Sequence, residues 1–492
     1  MKFVSTRDKK TWVSGQQAIV QGISEEGGLF VPECFPRLMP LGELLNLSYQ
    51  ELAYEILSLY FEDLGETSLQ MAVDAAYDEK FPTEVVPMHS IGNSTFLELF
   101  HGRTLAFKDM ALSILPHLMK ASAEGLGEER EIIVLVATSG DTGKAALEGF
   151  SGAKGIEVSV FYPDGGVSEM QRLQMVTTQG ENTYVCGIRG NFDDAQTGVK
   201  KIFADPSFTQ ELMQKGYILS SANSINIGRL IPQIVYYVYG YLQLLKEEKI
   251  KGGEKIHVCV PTGNFGNVLA AYYAKEMGLP LDRLIVASND NRVLTDFFSE
   301  GIYDGDRPLY LTSSPSMDIL ISSNLERFIY HSSNEDAQAV MDAMDSLKQN
   351  RRFDWQSQIK DPSIYAYMAD EVAVSESIRE LYLEHGYVMD PHTAVAYSAV
   401  QQYRSETGDS AQILIASTAS PFKFAGKVLK SIGHEVPQDE FKAVEDLAQL
   451  MEIPVPTAVQ ELLELEERHR DLCQPEEMEE MLCKKYLRGT ND

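Results

Sequence analysis

The sequence lacks the marks of a membrane protein, a secreted protein and a nucleic-acid-binding protein. No uninterrupted apolar run approaches ~18 residues, so no membrane span is expected. The first residues, MKFVSTRDKKTW, contain no apolar segment of a secretory signal. Lysine and arginine number 42 against 72 aspartates and glutamates, which gives a net charge of −30. Nucleic-acid phosphates and anionic membranes bind basic surfaces, so neither is an expected partner.

Cysteine is also scarce and scattered. The chain has five cysteines and no CxxC pair, which matches neither a structural zinc site nor a disulfide framework. The nine histidines form no cluster with metal-ligand spacing, so no metal ion is expected. Free thiols are typical of a reducing compartment, and we therefore expect a cytoplasmic protein.

The length of 492 residues predicts two or three domains. Residues 1–98 hold short apolar pieces and two amphipathic patterns, which predict an N-terminal α+β domain. Ser48 and Glu51 have the spacing of a capping box at the start of the first helix. Residues 99–440 predict a large core, with a smaller lobe at about residues 131–235 inserted in it.

The core repeats a strand–loop–helix pattern. The apolar run EIIVLVA is interrupted by TSGDTG, followed by a helix pattern in KAALEGFSGA and another strand pattern in GIEVSVFYP. The same order recurs from NTYVCGI and from KIHVCVP, and RLIVASND and AQILIAST are two more buried-strand patterns. This order predicts an α/β fold with mostly parallel sheets and flanking helices. Ligands of such sheets bind at the carboxyl ends of the strands.

Residues 441–492 are acidic and have helical patterns in AVQELLELEERHRDL and PEEMEEMLCKKYL. We predict a solvated C-terminal helical tail that packs through its leucine and methionine face.

A glycine loop, PTGNFGN at residues 261–267, follows one apolar run and opens a helix. Gly263 and Gly266 let the backbone turn its N–H groups inward, where they and the helix dipole would attract a phosphate. An ordinary strand-to-helix turn is the alternative, and the loop by itself does not decide between the two.

A second loop, ATSGDTGKAAL, differs from a nucleotide-binding P-loop. Thr138 stands where that motif has its first glycine, and Ala145 follows Lys144 in place of a hydroxyl, which excludes a nucleoside-triphosphate site. The hydroxyls of Thr138, Ser139 and Thr142 at a helix start suit a carboxylate. A helix capped by hydroxyl groups is the alternative.

Two further loops place polar groups at strand or helix ends. In SANSINIGRL, Arg229 could pair with a carboxylate or a phosphate, or could lie on the surface of a capped helix. In IASTASPFKF, Ser417 and Thr418 end a strand, either as ligand contacts or as ordinary polar strand ends.

A lone lysine, Lys108, stands in the apolar run FHGRTLAFKDMAL. The residues around it leave two interpretations, a charge on a helix surface or an enzyme nucleophile. A phosphate cradle, a carboxylate loop and a lysine in an apolar setting together meet the requirements of a pyridoxal phosphate enzyme.

The motifs HGRTLAFKDMA, ATSGDTGKAA, PTGNFGN and NSINIGR together resemble those of the threonine synthase family. The opening FVSTRD and EEGGLFVPE are similar to that family's N-terminus, so the resemblance runs over nearly the whole chain. It implies fold type II, the architecture of the tryptophan synthase β-subunit, with two α/β lobes.

The resemblance also implies roles for particular residues. Lys108 binds pyridoxal 5′-phosphate as a Schiff base, and Thr418 faces the pyridine nitrogen. The cofactor phosphate lies on the glycine loop, at Gly263, Asn264, Phe265, Gly266 and Asn267. The substrate carboxylate lies on the second loop, at Thr138, Ser139, Gly140, Asp141 and Thr142. Asp141 stands where many relatives have an asparagine.

The implied reaction is elimination of the γ-phosphate of O-phospho-L-homoserine and addition of water at Cβ, which yields L-threonine in the last step of its biosynthesis. We expect the leaving phosphate on Asn223, Ser224, Asn226 and Arg229. Arg103, in place of the family's usual proline, and Arg292 are reserve candidates.

Two alternative functions stay open. The first is a phospholyase that releases 2-oxobutyrate from the same substrate. The second is a non-catalytic protein that binds a phosphorylated ligand. The oligomeric state is expected to be a monomer or a homodimer.

Overall fold

The strands form four sheets in the computed structural model, which describes residues 1–78, 80–81, 84–356 and 363–488. The strands are β1 Lys2–Ser5, β2 Trp12–Ser14, β3 Phe30–Pro32, β4 Met88–Ile91, β5 Ser94–Glu98, β6 Glu131–Ala137, β7 Ile156–Pro163, β8 Thr183–Ile188, β9 Tyr217–Ser220, β10 Ile256–Pro261, β11 Leu281–Ser288, β12 Ile302–Asp304, β13 Arg352–Asp354, β14 Ile364–Met368, β15 Ile413–Ser417 and β16 Asp471–Cys473.

Helices follow most strands of the two large sheets. They are α1 Gly15–Gln21, α2 Leu41–Leu44, α3 Tyr49–Tyr60, α4 Glu66–Ala76, α5 Asp109–Leu112, α6 Leu115–Gly125, α7 Asp141–Phe150, α8 Glu169–Val176, α9 Phe192–Phe203, α10 Pro206–Gln214, α11 Ile227–Leu230, α12 Pro232–Lys246, α13 Gly266–Glu276, α14 Val293–Glu300, α15 Leu325–Ser332, α16 Ala337–Asn350, α17 Glu371–His385, α18 Pro391–Thr407, α19 Ala425–Ser431, α20 Glu440–Met451, α21 Thr457–Gln460 and α22 Met478–Leu482. Within the described residues, no helix is both long enough and apolar enough to cross a membrane.

The large lobe contains a six-stranded sheet in the order β14-β11-β10-β15-β5-β4. Its pairs are parallel except β4 with β5, which run antiparallel. The central strands are buried along nearly their whole length, which is why their sequences are continuously apolar. The loops after β5, β10 and β15 therefore meet at one edge of the sheet.

The smaller lobe contains a five-stranded parallel sheet in the order β16-β8-β7-β6-β9. The predicted strand EIIVLVA is β6. Helix α7 begins at Asp141, within TSGDTG and three residues before the predicted helical run KAALEGFSGA. The α/β fold with mostly parallel sheets in two lobes is confirmed.

The N-terminal part forms the three-stranded antiparallel sheet β2-β1-β3 and the helices α1 to α4. The predicted capping box is present: Ser48 accepts from the Glu51 N–H, and the Glu51 side chain accepts from the Ser48 N–H. The boundaries at residues 98 and 440 stay predictions.

The C-terminal segment corrects one prediction. AVQELLELEERHRDL is not one helix, because α21 and the short turn Glu461–Leu463 end before a non-helical stretch that leads to β16. Closely spaced glutamates repel one another along a helix. The exposed backbone of β8 offers hydrogen bonds instead, so residues 471–473 join the small-lobe sheet. The predicted burial through Met478 and Leu482 is observed, and residues 489–492 lie outside the described part.

Candidate active site

Lys108 lies in the loop after β5, immediately before helix α5. It is 9% exposed. Its Nζ atom lies 3.4 Å from Asp141 Oδ2 in the small lobe and 3.1 Å from Ser316 Oγ in the large lobe. Lys108 is therefore a buried group between the two lobes, and the interpretation as a helix-surface charge is wrong.

The surroundings of Lys108 favour its neutral form. Burial lowers the pKa of the Lys108 amine, because an ammonium group loses its hydration there. The Asp141 carboxylate acts in the opposite direction, while the cations of Lys423 and Arg229 lower the pKa further. A neutral amine is the form that a Schiff-base nucleophile or a general base needs.

Asp141 is the first residue of α7, at the carboxyl end of β6. Its Oδ1 atom lies 2.7 Å from Lys423 Nζ and accepts from Gln171 Nε2 at 3.1 Å. Its Oδ2 atom accepts from Ser316 Oγ at 3.1 Å. Burial by itself would raise the pKa of Asp141, but Lys423 and Lys108 hold it well below the ordinary range. The carboxylate is therefore charged and lies between two lysines.

The glycine loop, residues 263–267, joins β10 to α13. Phe265 has the left-handed conformation with φ of 62°, which turns the backbone sharply just before the helix begins. The Asn324 N–H donates to the Asn264 carbonyl at 3.0 Å and fixes the loop. The first N–H groups of α13 have no partner within the helix, so this loop is an anion-binding cradle in form.

The glycine loop also lies close to the lysine. A Cβ atom at Gly263 would lie 2.7 Å from the Ser316 carbonyl oxygen, so this position has no room for a side chain. Because Ser316 contacts Lys108, the loop and the amine belong to one site. Asn267 accepts a hydrogen bond from the Tyr237 hydroxyl, while its buried Nδ2 atom has no partner among the described residues.

Thr418 lies beside the lysine segment. It follows β15 and is 6% exposed. Its carbonyl accepts from the Phe107 N–H at 2.8 Å, one residue before Lys108. This places Thr418 at the site, and its contact with the cofactor ring stays a prediction.

The TSGDT loop stands on the small-lobe side. Thr138 Oγ1 accepts from the Gly140 and Gly143 N–H groups at 2.9 and 2.8 Å, which shapes the helix start. Ser139 is exposed and Thr142 is half-buried, so both are accessible to a ligand. The loop is thus a capped helix start with accessible hydroxyls beside Asp141, and substrate binding there stays a prediction.

Arg229 is the buried arginine of the SANSINIGRL segment. It is 4% exposed, and its Nη1 donates to the Ala222 carbonyl at 2.9 Å. Its Nε atom is buried without a partner among the described residues, and burial lowers its pKa to about 10. Helix α11, which carries Arg229, packs against α5, the helix that directly follows Lys108, and the Arg229 charge contributes to lowering the pKa of Lys108. This guanidinium is suited to an anion.

The other predicted phosphate contacts differ from one another. Asn226 is fully buried and donates to the Ile19 and Ser221 carbonyls, while its Oδ1 accepts from the Gly228 N–H. The Asn226 side chain therefore caps helix α11, and these bonds already occupy its amide. The remaining two, Asn223 and Ser224, are half-buried and accessible.

The two reserve arginines lie at exposed positions. Arg103 is 52% exposed and faces Glu148 at 3.6 Å, and Arg292 is 55% exposed and faces Asp296 at 3.4 Å. Both cations are already near carboxylates in water, so we rank them below Arg229 as phosphate ligands.

Three residues of the site were absent from the sequence-based prediction, namely Gln171, Ser316 and Lys423. Lys423 carried a signal, because it stands between Phe422 and Phe424 much as Lys108 follows Phe107. Ser316 lies in a turn-rich stretch and Gln171 on an ordinary helix, so neither pattern indicated a site.

The arrangement of a buried lysine and a glycine loop on a two-lobed α/β fold agrees with family comparisons. Residues 81–419 match the family "Pyridoxal-phosphate dependent enzyme". Residues 2–77 match "Threonine synthase N terminus", and residues 393–481 match "Threonine synthase, C-terminal". The chain belongs to the pyridoxal-phosphate-dependent enzyme family and has fold type II.

Comparison with individual relatives shows to which family within this class the chain belongs. Human "Threonine synthase-like 1" is 40% identical over 456 residues, covering 87% of this chain and 60% of its own, so the chain spans about three-fifths of that relative. Threonine synthase of Pseudomonas aeruginosa is 36% identical over 440 residues, covering 88% of this chain and 90% of its own. The crystal structure of PLP-bound threonine synthase from Brucella melitensis has a TM-score of 0.87 at 32% identity and covers 99% of this chain and 100% of that one. The chain belongs to the threonine synthase family.

The residues of the site fit pyridoxal 5′-phosphate. Lys108 supplies a buried amine, and the glycine loop supplies N–H groups at a helix start. The unpartnered Asn267 Nδ2 lies in that loop, where a phosphate oxygen would satisfy it. Each of these groups is the kind that the cofactor needs.

Proposed function

We propose that this protein is a threonine synthase, which converts O-phospho-L-homoserine and water into L-threonine and phosphate. The observation that carries the proposal is the buried Lys108 amine, 3.4 Å from Asp141 and beside the glycine loop. Similarity to proteins named threonine synthase over nearly their full length supports the same reaction.

Lys108 acts as the base of the reaction. With the cofactor bound, its conjugated ring spreads negative charge that develops at the substrate Cα. Once the substrate amine has displaced it, Lys108 Nζ would take the Cα proton, release it, and then take a Cβ proton as the γ-phosphate leaves with the electron pair of its C–O bond. Cγ and the leaving phosphate would each gain one proton, and water would add its hydroxyl at Cβ and release one proton. The same nitrogen returns a proton to Cα after water has added at Cβ. Burial lowers the pKa of this amine, which favours its action as a base.

Arg229 binds the leaving phosphate in this proposal. Its guanidinium is buried, and among the described residues its Nε has no partner and no carboxylate pairs with it, so it can meet a dianion with charge-assisted hydrogen bonds. Asn223 and Ser224 add polar contacts at the same segment. The substrate carboxylate lies against the accessible hydroxyls of Ser139 and Thr142.

Product analysis tests the proposal. The purified protein with added cofactor is incubated with O-phospho-L-homoserine, and phosphate, threonine and 2-oxobutyrate are measured together. We expect equal amounts of phosphate and L-threonine. Release of 2-oxobutyrate without threonine would show a phospholyase instead, and substrate binding without turnover would show a non-catalytic protein.

A further inference from the structure

Lys423 is a buried cation that the proposed reaction does not use. It lies after β15 in the turn Pro421–Phe424, and its side chain is 2% exposed. Its Nζ atom lies 2.7 Å from Asp141 Oδ1 and donates to the Thr104 carbonyl at 2.9 Å. An ammonium group so buried is stable only with such partners.

These contacts connect the parts that surround Lys108. Thr104 belongs to the segment that leads to Lys108, and its N–H and hydroxyl bind Asp109 at 2.8 and 2.6 Å. Lys423 reaches from the end of β15 to this segment and also across to the small-lobe Asp141. Lys423 therefore contacts both Asp141, which lies beside the Lys108 amine, and the backbone segment that leads to Lys108.

We propose that Lys423 is a positioning residue for Lys108, which holds the Asp141 carboxylate in place and balances its charge so that the Lys108 nitrogen remains a base. This inference rests on the proposed role of Lys108. Without Lys423, the full negative charge of Asp141 would act on Lys108 from 3.4 Å and favour its protonated form.

The other charged groups around this pair do not replace Lys423. Lys108 faces Asp141, Lys423 and Arg229. Asp141 faces the two lysines and also lies near His392, whose Nδ1 is bonded to Asp390 at 2.6 Å and whose Nε2 accepts from the Ser316 N–H at 3.3 Å. Lys423 is the cation nearest to Asp141, at 2.7 Å against 3.4 Å for Lys108.

The variant Lys423→Met tests the proposal, because methionine keeps the length and removes the charge. The holoenzyme is titrated, and the absorption of the lysine-bound cofactor is followed together with the pH profile of kcat/KM. We expect the spectral midpoint and the acidic limb of the profile to move upward by about one pH unit. Lys423→Arg keeps the charge and should leave both near the wild-type values.

The variant Asp141→Asn gives an independent reading if Lys423→Met does not fold. Removing the carboxylate should move the same midpoint downward. Lys430→Met is the matched control, because Lys430 is exposed on the next helix and should leave the midpoint unchanged.

Two results would overturn the inference. One is an unmoved midpoint in Lys423→Met together with a raised KM for the phosphorylated substrate, which would make Lys423 a substrate ligand. The other is an unmoved midpoint in both Lys423→Met and Asp141→Asn. Neither result depends on the product that the wild-type enzyme forms, so a failure here is distinct from a failure of the proposed reaction.

Discussion

Two lysines flank the Asp141 carboxylate, one at each oxygen. Lys423 lies 2.7 Å from Oδ1 and Lys108 lies 3.4 Å from Oδ2. The two environments differ: that of Lys423 suits a charged structural residue, and that of Lys108 suits a reactive amine. Lys423 has a carboxylate and a carbonyl as close partners, whereas burial and two neighbouring cations lower the pKa of Lys108.

Lys108→Ala tests the role of the reactive amine. The variant loses both the covalent attachment of the cofactor and the base, so threonine formation should fall by at least about 10³-fold. Phosphate and threonine release are measured beside the cofactor absorption spectrum. Lys120→Ala is the control and should keep its activity, since that side chain is 45% exposed. Activity close to normal in Lys108→Ala would contradict the assignment.

Arg229→Gln tests the phosphate site against its rivals. Loss of a buried charge-assisted contact should raise KM for O-phospho-L-homoserine by about tenfold or more, with the cofactor spectrum retained. Arg292→Gln should change KM little, because Arg292 is 55% exposed. If steady-state kinetics showed a large rise in KM for Arg292→Gln and little change for Arg229→Gln, Arg292 would be the phosphate ligand instead.

Helix α15 connects the N-terminal sheet to the site. Arg327 in that helix is fully buried and donates from Nε to the Phe30 carbonyl at 2.8 Å. Its other nitrogens donate to Asn324 Oδ1 and to the Ile225 carbonyl. Since the Asn324 N–H in turn binds the Asn264 carbonyl, this one side chain links the first sheet, the SANSINIGRL segment and the glycine loop.

Arg327→Met should weaken both the fold and the cofactor site. Two buried acceptors and one half-buried acceptor lose their donor, so the free energy of unfolding should fall by about 3 kcal/mol or more. Cofactor retention after dialysis should fall as well, because Asn324 is no longer fixed. Denaturant unfolding and absorption measure the two effects. Arg379→Met is the control, because Arg379 is exposed. Equal stability of the two variants would show that Arg327 does not link the first sheet to the glycine loop.

The sequence predicted those elements that residues close together in the chain determine by themselves. EIIVLVA had to be a strand buried on both faces, and Ser48 with Glu51 had to cap a helix. Strand β16 could not be predicted, because its partner β8 is distant in sequence and supplies the hydrogen bonds that decide its structure. Lys423 was missed for the same reason, since its partner Asp141 belongs to the other lobe.

The whole molecule is strongly acidic, yet its site concentrates buried cations. The net charge is −30, while the buried side chain of Lys423 pairs with Asp141 and the guanidinium of Arg229 is buried in the neighbouring segment. Low polarity strengthens their attraction for an anion and limits screening by salt. These buried cations would allow an acidic protein to bind the phosphorylated substrate that we propose.

The C-terminal segment contributes to the core of the small lobe. Leu482 in α22 is fully buried against that lobe, and Tyr486 shares a 2.7 Å hydrogen bond with Ser159 of β7. Leu482→Ala should therefore lower the free energy of unfolding by about 2–5 kcal/mol. Leu463→Ala, at a side chain 62% exposed, should change it by less than about 0.5 kcal/mol. Similar values for both variants in thermal unfolding would mean that the segment is not part of this core.

The central claim is that Lys108, and not Lys423, carries the cofactor. Borohydride reduction of the holoenzyme followed by peptide mapping tests it most directly, because reduction fixes the cofactor on the lysine that holds it. We predict one labelled peptide, containing the sequence TLAFKDM with the label on Lys108. A label on Lys423, or on any other lysine, would contradict the account.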